Sequence, residues 1–460
     1  MKPLDNSDSR PVHFVGIAGA GMRALAELMA RRGVIVTGCD ANPDSTDDLA
    51  ELGIEVITGH NPDHVNGARE VIVTSAMPKD HPEIVRARER GIPIVRRAEA
   101  LGQAVSGGKL VGIAGTHGKT TTTVMTTAAL AAAGLRPTGL AGGRVAEWKG
   151  NLHYESDELF VVEADEYDRS FLTLSPTIAV VTNVEADHLD IYKDLDDITT
   201  TFSRFVRDAS VVVLCADDQG ARSLDLPASA EVIRYGLTSR DARLVATDIR
   251  STGHATTFAA SYDGRPLGEV ALRVPGHHNV QNALAAIGAG FALGVRLDAM
   301  RDGLLQFGGV ERRFQRLCDV AGVTIVDDYA HHPTEIVATL QAARASYPDR
   351  RIVAAFQPHL FSRTRDFADA FGQALAKADS VFLSEIYPAR EKPIAGVTSN
   401  LVATALERAG SKADWQGPRK DLASALCAFL RDGDVVITIG AGDITRTGPE
   451  LRQQLEARSK

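Results

Sequence analysis

Short runs rich in valine and isoleucine alternate with helical stretches along nearly the whole chain, and this pattern leaves few architectures open. Strands separated by helices pair in parallel and need cover on both faces, so the fold class is α/β. Near the start, the runs 13–17, 34–39, 55–57, 71–74 and 93–95 read as strands of one compact nucleotide-type domain. Residues 103–109, containing Ser106-Gly107-Gly108, read as a linker before a strand at 110–114. The alternation then continues to about residue 317, interrupted over 232–274 by a β-rich stretch in which Asp263-Gly264 signals a hairpin. Strands at 324–326, 352–356, 380–383 and 435–439 make a last unit. The expected architecture is therefore three domains: Rossmann-like over 1–105, a central P-loop domain with a mostly parallel sheet and a small β-rich part over 106–317, and a Rossmann-like α/β domain over 318–460. A length of 460 residues suits that number, at roughly 100 to 200 residues per domain.

Fifty basic residues against 59 acidic ones give a net charge of −9, with no long basic tract to offset it. That balance argues against a nucleic-acid or anionic-membrane partner, because such binding rests on basic patches. The four cysteines, Cys39, Cys215, Cys318 and Cys427, form no C-x-x-C pair, which suits a reducing compartment. Residues 1–10 are polar, and no apolar run approaches the roughly 18 residues of a membrane helix. A cytoplasmic location is expected, with a monomer and a homodimer both open.

The sharpest motif is Gly112-Ile113-Ala114-Gly115-Thr116-His117-Gly118-Lys119-Thr120. A buried strand enters a glycine turn whose N–H groups can wrap phosphate, and Lys119 and Thr120 open a helix whose N-terminus favours anions. Gly118-Lys119-Thr120 matches the P-loop outright, while Gly112 or a shifted Gly115 supplies the first glycine. Thr120 to Thr123 are poor choices for helix propensity, so their hydroxyls are expected to serve Mg²⁺ and phosphate. Glu163-Ala164-Asp165-Glu166 ends the strand 159–162 and offers the carboxylate a P-loop metal needs, with Glu163 the leading ligand. A second polar cluster, 183–190, ends the strand 178–182 and contains His188, which could ligate a cation, bind phosphate or merely cap a loop.

Gly16-Ile17-Ala18-Gly19-Ala20-Gly21-Met22 follows the first strand and precedes a helix with Met22, Leu25, Leu28 and Met29 on one face. The N-terminus of that helix suits a phosphate, and Asp40 stands where a ribose-binding acid would. The spacing is G-x-x-G-x-G, so nucleotides, nucleotide sugars and NAD all stay open. Farther along, 326–333 and 356–359 with 362–365 place histidine and arginine after what read as adjacent strands. His331 and Glu335 are spaced i,i+4 as in a zinc hydrolase but have no third ligand, and Arg363 or Arg365 would suit a substrate carboxylate. Two phosphate sites with these groups indicate an enzyme that spends ATP on a phosphate-bearing substrate.

The set Gly115-Thr116-His117-Gly118-Lys119-Thr120-Thr121-Thr122, Glu163-Ala164-Asp165-Glu166, Ala186-Asp187-His188-Leu189-Asp190, His278-Asn279-Val280-Gln281-Asn282-Ala283, Arg312-Arg313-Phe314, Asp327-Asp328-Tyr329-Ala330-His331-His332-Pro333 and Phe356-Gln357-Pro358-His359 resembles the Mur ligase family over nearly the whole chain. The Asp-Asp-Tyr and Phe-Gln-Pro-His motifs resemble its alanine-adding branch. That resemblance implies an ATP-dependent ligase of peptidoglycan precursor synthesis, forming ADP and phosphate as it joins L-alanine to the lactyl carboxylate of UDP-N-acetylmuramate through an acyl phosphate. A recycling ligase that adds a tripeptide to the same sugar nucleotide is the alternative. It further implies that Gly16, Gly19, Gly21, Met22, Asp40 and Ser75 bind the UDP-sugar, and that Gly115, Thr116, His117, Gly118, Lys119, Thr120, Thr121, Asn279, Asn282, Arg313 and Asp328 bind ATP. Lys119, His188, Arg313 and Asp328 would be catalytic, Thr120, Glu163 and His188 would hold two Mg²⁺ ions, and His332, His359 and Arg363 would hold the amino acid. Sister ligases use a carbamylated lysine after the histidine, but this chain has no lysine between Lys193 and Lys377, so no carbamate is expected. Several relatives carry arginine where this chain has Leu360, which bears on the amino-acid pocket.

Overall fold

The computed structural model describes residues 8–41, 47–74, 77–253, 255–389 and 391–458. Ser75 lies outside them. The first sheet contains β1 (Val12–Val15), β2 (Val36–Asp40), β3 (Glu55–Thr58), β4 (Glu70–Val73) and β5 (Ile94–Arg96), in the order β3-β2-β1-β4-β5. Its pairings are all parallel. The order reverses at β1, and ligands of open α/β sheets gather beyond the strand ends at such a switch. β1 stops two residues earlier than the sequence pattern suggests, because Gly16 (φ 82°) turns the chain toward the helix Ala20–Arg31.

The second sheet is built from β6 (Lys109–Ala114), β7 (Thr138–Val145), β8 (Gly150–His153), β9 (Leu159–Glu163), β10 (Ile178–Val181), β11 (Val211–Cys215), β12 (Glu231–Gly236), β13 (Leu244–Thr252), β14 (Ala255–Tyr262) and β15 (Arg265–Leu272). Its order is β15-β14-β13-β12-β11-β10-β6-β9-β7-β8, with β6 parallel to both β9 and β10. The expected hairpin is present: Asp263 (φ 49°) and Gly264 (φ 74°) are the two residues between β14 and β15, as a tight primed turn requires.

The third sheet runs β16 (Gln315–Val320), β17 (Val323–Asp328), β21 (Val435–Ile439), β18 (Ile352–Phe356), β19 (Ser380–Ser384), β20 (Trp415–Gly417), with only β16 antiparallel. β17 and β18 are therefore not neighbours. The last strand in sequence inserts between them, a long-range pairing that local pattern does not encode.

The described residues divide into two compact units, those within 1–248, 258–271 and 281–308, and those within 249–257, 272–280 and 309–460. In the first unit one apolar cluster includes Phe14 and Leu25 from the first sheet's layer, Phe160 of β9, and Phe202 and Phe205 of the helix Leu195–Val206. Phe171 stacks on Phe205 at 4.8 Å and meets Phe202 edge-on at 5.1 Å, contacts adding about 1 kcal/mol each beyond area burial. The expected linker 103–109 is shorter than read. Residues 103–105 finish the helix Arg97–Val105, since Ala104 and Val105 are buried on its apolar side, and Ser106 Oγ closes it by donating to Gln103 O at 2.9 Å. The second unit has its own core around Val326, Phe356, Phe371 and Ile437.

Candidate active site

In the first unit the glycine turn after β6 is clamped from the end of β10. His117 N donates to Asn183 Oδ1 at 2.7 Å, Thr182 Oγ1 donates to His117 O at 2.6 Å, and Glu185 N donates to Thr116 Oγ1 at 2.8 Å. Gly118 caps the helix Lys119–Ala132 with φ 81°, and a Cβ there would lie 2.7 Å from Asn282 Oδ1. A Cβ on Gly115 (φ 146°) would collide with Thr182 Oγ1. Both positions thus need glycine, and the turn keeps the open backbone a phosphate cradle requires.

Lys119 Nζ donates to Gly115 O at 2.6 Å and Glu166 Oε1 at 2.8 Å. Burial opposes charge on this ammonium, but Glu166, Asp165 and Glu163 outweigh it and hold its pKa above the ordinary lysine value. Burial also lifts Glu166, to about 7, against the pull of Lys119. The two shifts favour opposite forms of the pair; Lys119 keeps its proton, because three carboxylates face it. Tyr192 Oη donates to Glu166 O at 2.6 Å and fixes the backbone behind the carboxylate.

Thr120 Oγ1 and Glu163 Oε1 lie 3.0 Å apart, and Gly142 N donates to the other Glu163 oxygen. Two adjacent hard oxygen donors beside a phosphate cradle fit a Mg²⁺ ion. Thr122 and Thr123 depart from expectation. Both are fully buried, with Thr122 Oγ1 donating to Asn282 Oδ1 at 3.2 Å and Thr123 Oγ1 to Lys119 O at 2.9 Å, so they pack the helix instead of facing a ligand. Thr121 is buried too. His188, strained at φ 52°, has its Nε2 3.8 Å from Glu166 Oε1 and its ring 5.1 Å from Tyr167.

One cleft of about 240 Å³ joins two motifs that are far apart in sequence. Its lining includes Gly19, Gly21 and Met22 of the first turn, Thr74 after β4, Arg97, and Glu163 with Asp165. Arg97 is a residue that motif reading misses. Its Nη1 would lie 2.8 Å from a Cβ on Gly21, and its Nη2 is 3.7 Å from Asp165 Oδ2, which puts a cation at the mouth of the glycine turn. The available signal is its place one residue beyond β5, at a strand's C-terminal end. Asp40 braces the turn by accepting from Ala18 N at 3.0 Å.

In the second unit Asp328, at the end of β17, accepts from Phe314 N and Ala330 N, each at 2.7 Å. Burial raises its pKa to about 6, and Arg313 pulls the other way. Arg313 lies 5.2 Å over Tyr329 and 3.4 Å from Glu335 Oε1. Glu335 itself caps the helix Pro333–Ser346, accepting from His331 N at 2.9 Å, so the i,i+4 pair forms a helix start. His332 is that helix's N-cap, buried against Phe367. His359 stacks on Tyr387 and lies 3.5 Å from Nη1 of Arg363, which is buried, whereas Arg365 is exposed and paired with Asp366. Leu360 has φ 69° and is buried, so its side chain adds packing and no charge. Asn279 is also in this unit, donating to Pro275 O at 2.7 Å, whereas Asn282 is in the first.

The family profile described as Mur ligase family, catalytic domain matches residues 11–109, Mur ligase middle domain matches 113–290, and Mur ligase, glutamate ligase domain matches 312–442. The chain is 43% identical over 453 residues to a UDP-N-acetylmuramate–L-alanine ligase of Salinibacter ruber, covering 97% of this chain and 95% of that one. Among solved structures it resembles the UDP-N-acetylmuramate-alanine ligase of Thermotoga maritima, with TM-score 0.83 and 29% identity over 98% of this chain and 100% of that one. It also resembles a murein peptide ligase of Psychrobacter arcticus, at TM-score 0.72 and 26% identity over 97% of this chain and 99% of that one. No described helix is long and apolar enough to cross a membrane. With three domain profiles matched in order nearly end to end, and with a relative this similar along its full length, the chain belongs to the Mur ligase family.

Proposed function

We propose that this ATP-dependent ligase joins L-alanine to the lactyl carboxylate of UDP-N-acetylmuramate, forming ADP and phosphate, in the cytoplasmic synthesis of peptidoglycan precursor. The observation that carries the reading is the shared cleft, in which the glycine turn after β1 and the carboxylates after β9 line one space. A sugar nucleotide on the first and a triphosphate on the P-loop bring an acid and a phosphoryl group together. The similarity to alanine ligases, at 43% identity in sequence and TM-score 0.83 in structure, favours alanine over the tripeptide of the recycling ligase, whose structural likeness is lower at 0.72.

A carboxylate is a poor electrophile at neutral pH. Transfer of the terminal phosphoryl group of ATP to a lactyl oxygen makes an acyl phosphate; the alanine amine attacks the carbonyl carbon, the C–O bond to phosphate breaks, and the amine loses a proton. Two anions meet in the first step, so positive charge is required. Lys119 supplies it from the P-loop, and Arg313 and Asp328 are further ATP-binding residues in this reading. Gly16, Gly19, Gly21, Met22, Asp40 and Arg97 hold the diphosphate and sugar, His332, His359 and Arg363 hold alanine, and Asn279 and Asn282 serve the adenine end. Thr120 and Glu163 would hold Mg²⁺, with His188 beside a second ion; the metal neutralises phosphate charge when bound.

The test is phosphate release with UDP-N-acetylmuramate and either L-alanine or tripeptide, combined with ¹⁸O in the lactyl carboxylate. The reading requires alanine-dependent turnover and one label passed to phosphate. Faster turnover with tripeptide, or phosphate free of label, overturns it.

A further inference from the structure

We propose that His13, Cys39, His64 and Glu83 bind one divalent transition-metal ion, zinc by their chemistry, on the far side of β1 and β2 from the phosphoryl-transfer groups. One donor atom from each of the four lies within 4.8 Å of all the others. The ligands come from β1, β2, the 3₁₀ turn Pro62–Val65 and the helix Pro82–Glu89, so no short spacing motif announces them.

Glu83 is the centre of the arrangement. It is fully buried, yet its ion-pair partners among the described residues are His60, His64 and His81, and none is lysine or arginine. Cys39 Sγ donates to its two oxygens at 3.1 and 3.2 Å, His64 Nδ1 lies 2.8 Å from Oε1, and Asn61 N donates at 3.1 Å. A carboxylate taken fully out of water needs a compensating positive charge close by. What His13 offers is a lone pair. Its Nδ1 engages Thr37 Oγ1 at 3.0 Å, while its Nε2 is buried with no hydrogen-bond partner among the described residues. An imidazole anchored through one nitrogen with the other left for a metal is the usual arrangement of a ligating histidine.

Two imidazoles, a thiol and a carboxylate form the mixed N, S and O set that suits tetrahedral zinc, whereas magnesium and calcium favour oxygen alone. A bound ion would place positive charge directly beside the buried Glu83 carboxylate. On binding, the Cys39 S–H proton leaves to solvent and a thiolate–metal bond forms, with no change of oxidation state. His60 and His81 meet edge-on at 4.6 Å beside Glu83 Oε2, and His60 Nδ1 lies 3.4 Å from Cys39 Sγ. The site adjoins the glycine turn, because Cys39 O accepts from Gly16 N at 2.8 Å and Ile17 N at 3.1 Å.

The experiment uses the full chain stripped by chelator and dialysed against zinc in excess magnesium, with bound metal counted by mass spectrometry. A parallel sample carries cobalt(II). One zinc per chain is expected, with a cobalt spectrum showing thiolate charge transfer and the intense d–d bands of a tetrahedral centre. Cys39→Ser should remove the charge-transfer band, and His64→Ala should weaken zinc binding by roughly 100-fold, at least the loss seen when a supporting group of a zinc site is removed. Should Cys39→Ser fail to fold, His64→Ala at its less buried position and the wild-type cobalt spectrum still decide. No stoichiometric zinc, an octahedral cobalt spectrum, or unaltered zinc binding by folded His64→Ala overturns the proposal. Ligase activity is not the readout, so this outcome is independent of the proposed reaction.

Discussion

Lys119 Nζ donates to Glu166 Oε1 at 2.8 Å, so a buried carboxylate holds the P-loop lysine in the place where phosphate would be its partner. Nucleotide therefore competes with Glu166 for the ammonium. Lys119→Ala should lower phosphate release by about a thousandfold, the scale of losing one preorganised charge at a phosphoryl centre. Glu166→Gln, which weakens the competitor by about 1 kcal/mol, should tighten ADP binding about fivefold in calorimetry. Weaker ADP binding by Glu166→Gln would show that the pair does not compete with nucleotide.

Thr120 Oγ1 and Glu163 Oε1, 3.0 Å apart, form the oxygen pair for the metal. Glu163→Gln keeps the shape and removes the charge. The magnesium concentration giving half-maximal turnover should rise at least about tenfold, while ADP affinity measured without metal should hardly change. Equal shifts in both quantities would mean that Glu163 shapes the cradle rather than serving the ion.

Arg97 stands beside Gly21 in the cleft. A charge-assisted contact to a diphosphate is worth about 2 kcal/mol, so Arg97→Ala should raise the KM for the sugar nucleotide roughly 30-fold and leave the KM for ATP near its starting value. A rise confined to ATP would assign Arg97 to the other substrate.

Asp328 has its folded pKa raised from 3.8 to about 6 by burial. Between those values the folded chain binds more protons than the unfolded chain does. The stabilisation from this group is thus complete below about pH 3.8 and lost as pH rises through about 6. The loss is about 3 kcal/mol, opposite in sign to that of a salt-bridged carboxylate. Denaturant unfolding of the wild type and Asp328→Asn across this range should show their stability difference moving by that order, and parallel pH curves would remove Asp328 as the source.

Local features were legible because they are written in contiguous residues. Valine-rich runs mark the strands, Gly115 to Thr120 mark a turn into a helix, and Asp263-Gly264 marks a hairpin, each set by backbone sterics and burial within a few positions. The α/β class follows from those runs alone, and the family from the motifs they carry. Tertiary structure decided what depends on partners far along the chain. Only folding inserts β21 between β17 and β18, gives Thr122 to Asn282 and Lys119 to Glu166, brings Arg97 against Gly21, and gathers His13, Cys39 and His64 around Glu83. A side chain's pKa and its bonding partner are properties of the space around it, and sheet order and packing create that space after the local elements have formed.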